Sequence, residues 1–165
     1  MLVTLTGFMG SGKSTVGKVL ADFLGCPFLD LDDLVVKKAG KSIPDIFAQD
    51  GEAAFRLLEA RMLRQTVEKY AESTVVLALG GGAVLAPASA ALLHDKTVCI
   101  YLRASLDTLL GRLAGNTAGR PLADDTMASR LASRAPIYEE TAHVIIDTDG
   151  LSPDEVADEI IISAL

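Results

Sequence analysis

Gly7-Phe8-Met9-Gly10-Ser11-Gly12-Lys13-Ser14-Thr15 is the stretch on which the architecture turns. Its residues from Gly7 to Ser14 fit G-x-x-x-x-G-K-[ST], and their surroundings lift the match well above chance. Upstream, Leu2-Val3-Thr4-Leu5 is a short β-rich run. Downstream, Val16, Val19, Leu20, Phe23 and Leu24 recur at helical spacing until Gly25 stops the helix. Strand, glycine loop and helix in that order make a phosphate cradle. The glycines let backbone N–H groups wrap the phosphates, and the helix adds its positive N-terminal end. Lys13 supplies a point charge for the β- and γ-phosphates, the Ser14 hydroxyl is placed to ligate Mg²⁺, and Thr15 adds a phosphate contact. A turn that only joined strand to helix would need neither the lysine nor the hydroxyl.

The rest of the chain alternates short β-rich runs with helix-period stretches. Phe28-Leu29-Asp30 reads as a second strand, followed by helices around Asp33–Ala39, Ser42–Ala48 and Glu52–Glu72. Val75–Leu79 is a buried strand ending at Gly80-Gly81-Gly82, and Pro87 opens a short helix to Leu93. A strand at Val98–Leu102 leads to a helical stripe of Leu106, Leu109, Leu110 and Leu113. Residues 115–125 read as a mobile loop, followed by a helix from Thr126 to Tyr138, a strand at Val144–Ile146 and a helix from Pro153 capped by Ser152. This order predicts an α/β three-layer sandwich built on a five-stranded parallel sheet. With 165 residues, one domain spanning 1–165 is expected.

Composition narrows the partners. A net charge of −7 repels nucleic acid and anionic membrane surfaces on average, so any bound polyanion needs a local cationic pocket. No apolar run approaches the roughly 18 residues of a membrane span, and the strand begins too close to Met1 for a signal peptide, which predicts a cytoplasmic protein. Cys26 and Cys99 are not paired as Cys-x-x-Cys and read as buried structural thiols. His94 and His143 lie too far apart in sequence for metal-ligand spacing.

A P-loop serves ATPases, GTPases, motors and kinases alike, so the second substrate must be read elsewhere. The chain has no Asn-Lys-x-Asp segment to read guanine, which counts against a GTPase switch. Asp30 and Asp32 lie near the end of the second strand, where period-2 alternation aims both toward the carboxyl edge of the sheet. One would serve the Mg²⁺ shell and the other would accept hydrogen bonds from substrate hydroxyls, with Asp33 as the helix cap. Arg56 and Glu59 share a helix face at i,i+3, the spacing of a surface ion pair. Gly80-Gly81-Gly82 offers close backbone approach and free N–H donors. Arg120-Pro121 in the loop and Arg134 on the next helix add cations, whereas Arg103, Arg112 and Arg130 read by themselves as solvated positions.

In order and spacing, the P-loop, Asp30-Leu31-Asp32, Phe55-Arg56 with Glu59, Gly80-Gly81-Gly82, Arg120-Pro121-Leu122 and Arg134-Ala135-Pro136-Ile137-Tyr138 resemble the shikimate kinase family over essentially the whole chain. The resemblance implies the fold of nucleoside monophosphate kinases. It also implies transfer of the ATP γ-phosphate to the 3-hydroxyl of shikimate, on the route to chorismate and the aromatic amino acids. Carried over by motif, Asp32 binds shikimate hydroxyls and is the candidate base, Arg56 and Arg134 clamp the carboxylate, and Gly80 and Gly81 lie against the acceptor. Gly10, Ser11, Gly12, Lys13, Ser14, Thr15 and Arg120 hold the ATP phosphates, with Lys13 and Arg120 stabilising the moving phosphoryl group. Mg²⁺ is held by Ser14 and, through water, by Asp30, while Arg112 and Pro153 flank adenine. Residues of about 31–60 become the acceptor-binding region and about 115–125 the lid, in a protein expected to act as a monomer. Some relatives carry basic residues where this chain has Gly150-Leu151, so a second cationic adenine contact is not expected. Two other readings compete. A gluconate kinase-like enzyme would not need the paired arginines, and an ATP-sensing module would leave Asp32, Arg56 and Arg134 idle.

Overall fold

The computed structural model describes residues 1–114 and 125–165. Five strands, β1 (Leu2–Thr6), β2 (Phe28–Asp30), β3 (Val75–Ala78), β4 (Val98–Arg103) and β5 (Val144–Asp147), form one sheet in the order β2-β3-β1-β4-β5. All four pairings are parallel, with Leu2 opposite Val75, Val3 opposite Val98, Phe28 opposite Val76 and Ile100 opposite Val144. The helices are α1 (Lys13–Leu24), α2 (Leu31–Ala39), α3 (Ile43–Asp50), α4 (Glu52–Lys69), α5 (Pro87–Lys96), α6 (Leu106–Ala114), α7 (Asp125–Thr141) and α8 (Pro153–Ala164), with a 3-10 turn at Ala83–Leu85.

Strand alternation divides the core in two. Val3, Leu5, Val76, Ile100, Leu102 and Ile146 face α1 and α8, against Val16, Leu20, Val156 and Ile160. Leu2, Val75, Leu77, Cys99 and Tyr101 face the opposite way, against Leu63 and Val67 of α4, Leu93 of α5 and Tyr138 of α7. Helices on both faces of a parallel sheet make the three layers that the alternating pattern predicted. A third, small cluster of Val35, Ile46 and Phe55 ties α2, α3 and α4 together beside the sheet, within the predicted acceptor-binding region.

Several local expectations need correction. The cap of α2 is Asp30, whose Oδ1 accepts from Asp32 N at 2.9 Å; Asp33 is merely in the first turn. Because α2 begins at Leu31, Asp32 belongs to a helix and its direction is not set by strand alternation. Helix α4 stops at Lys69, whereas α5 and α7 run on to Lys96 and Thr141. Cys99 is buried and Cys26 only partly so. The two histidines, 49 residues apart in the chain, stack with ring centroids 4.6 Å apart, yet no group of three metal-ligating side chains occurs among the described residues. None of the described helices is long and apolar enough to cross a membrane. The predicted lid at about 115–125, with Arg120 and Pro121, lies outside the described residues apart from the backbone of Asp125.

Candidate active site

Each strand of the sheet delivers one piece of the site at its carboxyl end, where open α/β sheets bind ligands. β1 runs into the glycine loop, where Gly7, Gly10 and Gly12 have φ of 148°, 82° and 94°, values that side chains with a Cβ rarely adopt. At Gly7 a Cβ would also stand 2.7 Å from the Leu102 carbonyl oxygen and 2.8 Å from Ser11 Oγ. Helix α1 starts at Lys13 with no side-chain cap, so its first N–H groups are left for an anion.

Lys13 curls back over this loop, its Nζ donating to Gly7 O at 2.7 Å and to Phe8 O at 3.0 Å. Burial pulls its pKa down to about 8, against the opposing pull of Asp32 and Asp30. Ser14 Oγ donates to Asp30 Oδ2 at 2.8 Å, while the other oxygen of Asp30 is the α2 cap. A hydroxyl and a carboxylate thus meet next to the phosphate cradle. They are hard oxygen donors of the kind Mg²⁺ prefers, so the residues present fit the ion.

Gly10 through Val16 line a cleft of about 500 Å³ together with Arg112, Leu113, Thr148, Leu151, Pro153 and Val156. Phosphate-binding and adenine-flanking candidates therefore share one cavity. Far from being solvated, Arg112 reaches Gly10 O and Ser11 O at 3.3 Å each and Thr148 O at 3.2 Å. Thr148 anchors this arrangement by donating from Oγ1 to Arg103 O at 3.1 Å. Nothing in the sequence around Asp147-Thr148-Asp149 separates that buried threonine from its exposed neighbours.

On the other side of the loop, the glycine turn after β3 gathers the acceptor candidates. A Cβ on Gly80 would lie 2.9 Å from Asp32 Oδ1 and 3.1 Å from Glu59 Oε2. One on Gly82 would lie 2.6 Å from the Arg56 guanidinium carbon, and one on Gly81 would lie 3.5 Å from Arg134 Nη1. Arg134 in turn sits over the Phe8 ring at 5.8 Å, which joins this group to the P-loop. The structure thus brings Asp32, Arg56, Gly80, Gly81 and Arg134 together beside Lys13. Burial pushes the Asp32 carboxyl above the usual aspartate range, and the Asp30 charge adds to this, with Lys13 opposing.

Glu59 is the residue whose setting the i,i+3 spacing misjudged. Its pair with Arg56, at 2.9 Å, is no surface bridge, because Glu59 is only 4% exposed. A signal for this was available: Phe55, Glu59 and Leu63 follow one another at i+4, so Glu59 occupies an apolar stripe. Burial raises its pKa, and the bonded Arg56 pulls it back. An arginine held by a buried carboxylate keeps its remaining N–H donors in a fixed plane, the arrangement that bidentate binding of a second carboxylate requires. A phosphate cradle, a hydroxyl–carboxylate pair and two arginines beside one glycine turn together suit phosphoryl transfer to a small anionic acceptor.

Comparison with known proteins agrees with this chemistry. The family model described as shikimate kinase matches residues 9–164. A shikimate kinase of Salinibacter ruber is 46% identical over 162 residues, spanning 90% of this chain and 78% of that protein. One from Enterococcus faecalis is 42% identical over 164 residues, spanning 96% and 95%. Among solved structures, the shikimate kinase from Acinetobacter baumannii in complex with shikimate superposes with a TM-score of 0.86 at 32% identity, covering 97% of this chain and 90% of that one.

Proposed function

The chain belongs to the shikimate kinase family, and on that premise we propose how its own residues carry out the reaction. The protein is an ATP-dependent kinase that phosphorylates shikimate, and the 3-hydroxyl is the acceptor in this reading. The N–H groups of Gly10, Gly12 and the start of α1, with Ser11, Ser14 and Thr15, hold the ATP phosphates. Adenine lies between Arg112 and Pro153 at the far end of the same cleft. Lys13 exchanges its two carbonyl partners for phosphate oxygens and follows the charge as the phosphoryl group moves. Ser14 and, through water, Asp30 would hold Mg²⁺, which would supply neutralisation of the phosphate charge.

Arg56 and Arg134 bind the shikimate carboxylate, the Gly81 amide donates alongside them at the turn that includes Gly80, and Asp32 accepts from the ring hydroxyls. Its raised pKa suits Asp32 to receive the proton as the attacking oxygen gives it up. Arg120 and the lid of about 115–125 enter this reading from the sequence alone, as the cation and cover that exclude water during transfer. The same reading makes 1–165 a single kinase domain, acting as a monomer in the cytoplasm without nucleic-acid or membrane partners. The net charge of −7 supports the last point.

The observation that carries the proposal is the convergence of Asp32, Arg56 and Arg134 on the Gly80–Gly82 turn next to Lys13. Arg56→Ala tests it. Losing a charged hydrogen bond to a ground-state carboxylate should raise KM for shikimate by roughly 10- to 100-fold and leave kcat near its original value. An unchanged KM would remove Arg56 from the acceptor site.

A further inference from the structure

Three consecutive glycines are the most costly backbone to order, because each has more conformations to lose than any other residue. Yet Gly80–Gly82 must present its amides to the acceptor in one orientation. In a trans peptide the N–H points opposite the preceding carbonyl, so the turn is oriented once its carbonyls are held. All three are held. Gly80 O accepts from Ala83 N at 3.1 Å and Gly82 O from Leu85 N at 3.1 Å, both donors belonging to the 3-10 turn. The middle one, Gly81 O, has no such local donor and instead accepts from Tyr138 Oη at 2.5 Å, across 57 residues of chain.

We propose that Tyr138 is a positioning residue for the acceptor. Its buried hydroxyl fixes the Gly81–Gly82 peptide on one side of Gly81, as Ala83 N fixes the Gly80–Gly81 peptide that carries the Gly81 N–H on the other. It also ties the turn to α7, where Arg134 lies one helical turn earlier, so that the glycine amides and the carboxylate-binding guanidinium are set as one unit. This rests on the acceptor site described above. The ring is fully buried and packs on Tyr101 at a centroid distance of 5.0 Å, so the hydroxyl has little freedom to leave its partner. Burial raises the phenol to about 12, with the nearby Arg134 charge opposing. The group therefore stays protonated and donating at neutral pH and well above it. Arg134 Nη1 and Tyr138 Oη crowd the same side of Gly81, 3.5 and 3.7 Å from where a Cβ on it would stand, so the guanidinium and the hydroxyl share one place against the turn.

Tyr138→Phe keeps the ring and removes only the donor. Loss of one buried hydrogen bond should raise KM for shikimate by about 5- to 30-fold, leaving KM for ATP unchanged and kcat lowered by less. Backbone amide exchange at Gly81 and Gly82 should accelerate in the same variant. An unchanged KM for shikimate overturns the proposal. So does a parallel rise in both KM values with a fall in Tm, or a variant too unstable to assay, since either would make Tyr138 a core residue without a specific role. The Arg56→Ala variant separates the two levels. If it raises KM for shikimate and Tyr138→Phe does not, only the role of Tyr138 falls. If neither does, the acceptor site itself is misplaced.

Discussion

Lys13 carries a property of its own that the motif does not encode. In the free protein its ammonium is spent on two loop carbonyls, and burial holds its pKa down to about 8. Its charged form, the one that binds phosphate, therefore prevails below pH 8 and is lost above it. ATP brings negative charge that restores the proton, so nucleotide binding is accompanied by proton uptake on the alkaline side. The expected outcome is a KM for ATP that is level below about pH 8 and climbs toward tenfold per pH unit beyond it. Steady-state kinetics at fixed saturating shikimate would show this, and a level KM through pH 10 would contradict it. At this scale the sequence was readable for residue type and silent on environment. Lys13, Asp30 and Asp32 stood out by motif and position, but the double duty of Asp30 as helix cap and partner of Ser14 depends on where α2 begins. Thr148 and the burial of Glu59 depend on packing between elements distant in the chain.

Elements determine how tightly the acceptor groups are held. Helix α4 contributes Arg56 from a half-buried position, α7 contributes Arg134 and Tyr138, and the glycine turn after β3 fits between them. Gly82 is there because the Arg56 guanidinium occupies the place of a side chain. The atoms in the way are the end of a flexible side chain, so Gly82→Ala should displace Arg56 without unfolding the turn. KM for shikimate is expected to rise by about tenfold with Tm nearly unchanged, a combination that paired kinetics and thermal melts would detect. A large fall in Tm with KM unaffected would mean that the turn, and not Arg56, absorbs the methyl. Between its two site residues α7 also carries Pro136, which has no N–H to donate to the Ala132 carbonyl, a local irregularity of the kind that functional segments tolerate. Strands and helices themselves were legible from periodicity because each buries one continuous face. The ends were not, since α5 and α7 continue on tertiary contacts that periodicity does not record.

Across the whole molecule, the β2-β3-β1-β4-β5 order puts the P-loop strand in the centre, flanked by the strands that lead to the glycine turn and to Arg112. That strand order follows from pairing over long stretches of chain and could not be read from hydrophobic pattern; the layer architecture could. The acidic protein concentrates Lys13, Arg56, Arg112 and Arg134 on this one edge, so its anionic substrates meet a local positive field despite the net charge of −7. What joins these scales is the claim that the pocket selects a carboxylate-bearing shikimate as phosphoryl acceptor. ADP release from Mg·ATP, followed with the purified protein and a panel of acceptors, tests that claim most directly. The account predicts rapid ADP formation with shikimate and little with quinate, gluconate or a nucleoside monophosphate. Equal turnover on all four, or turnover independent of any acceptor, would contradict it.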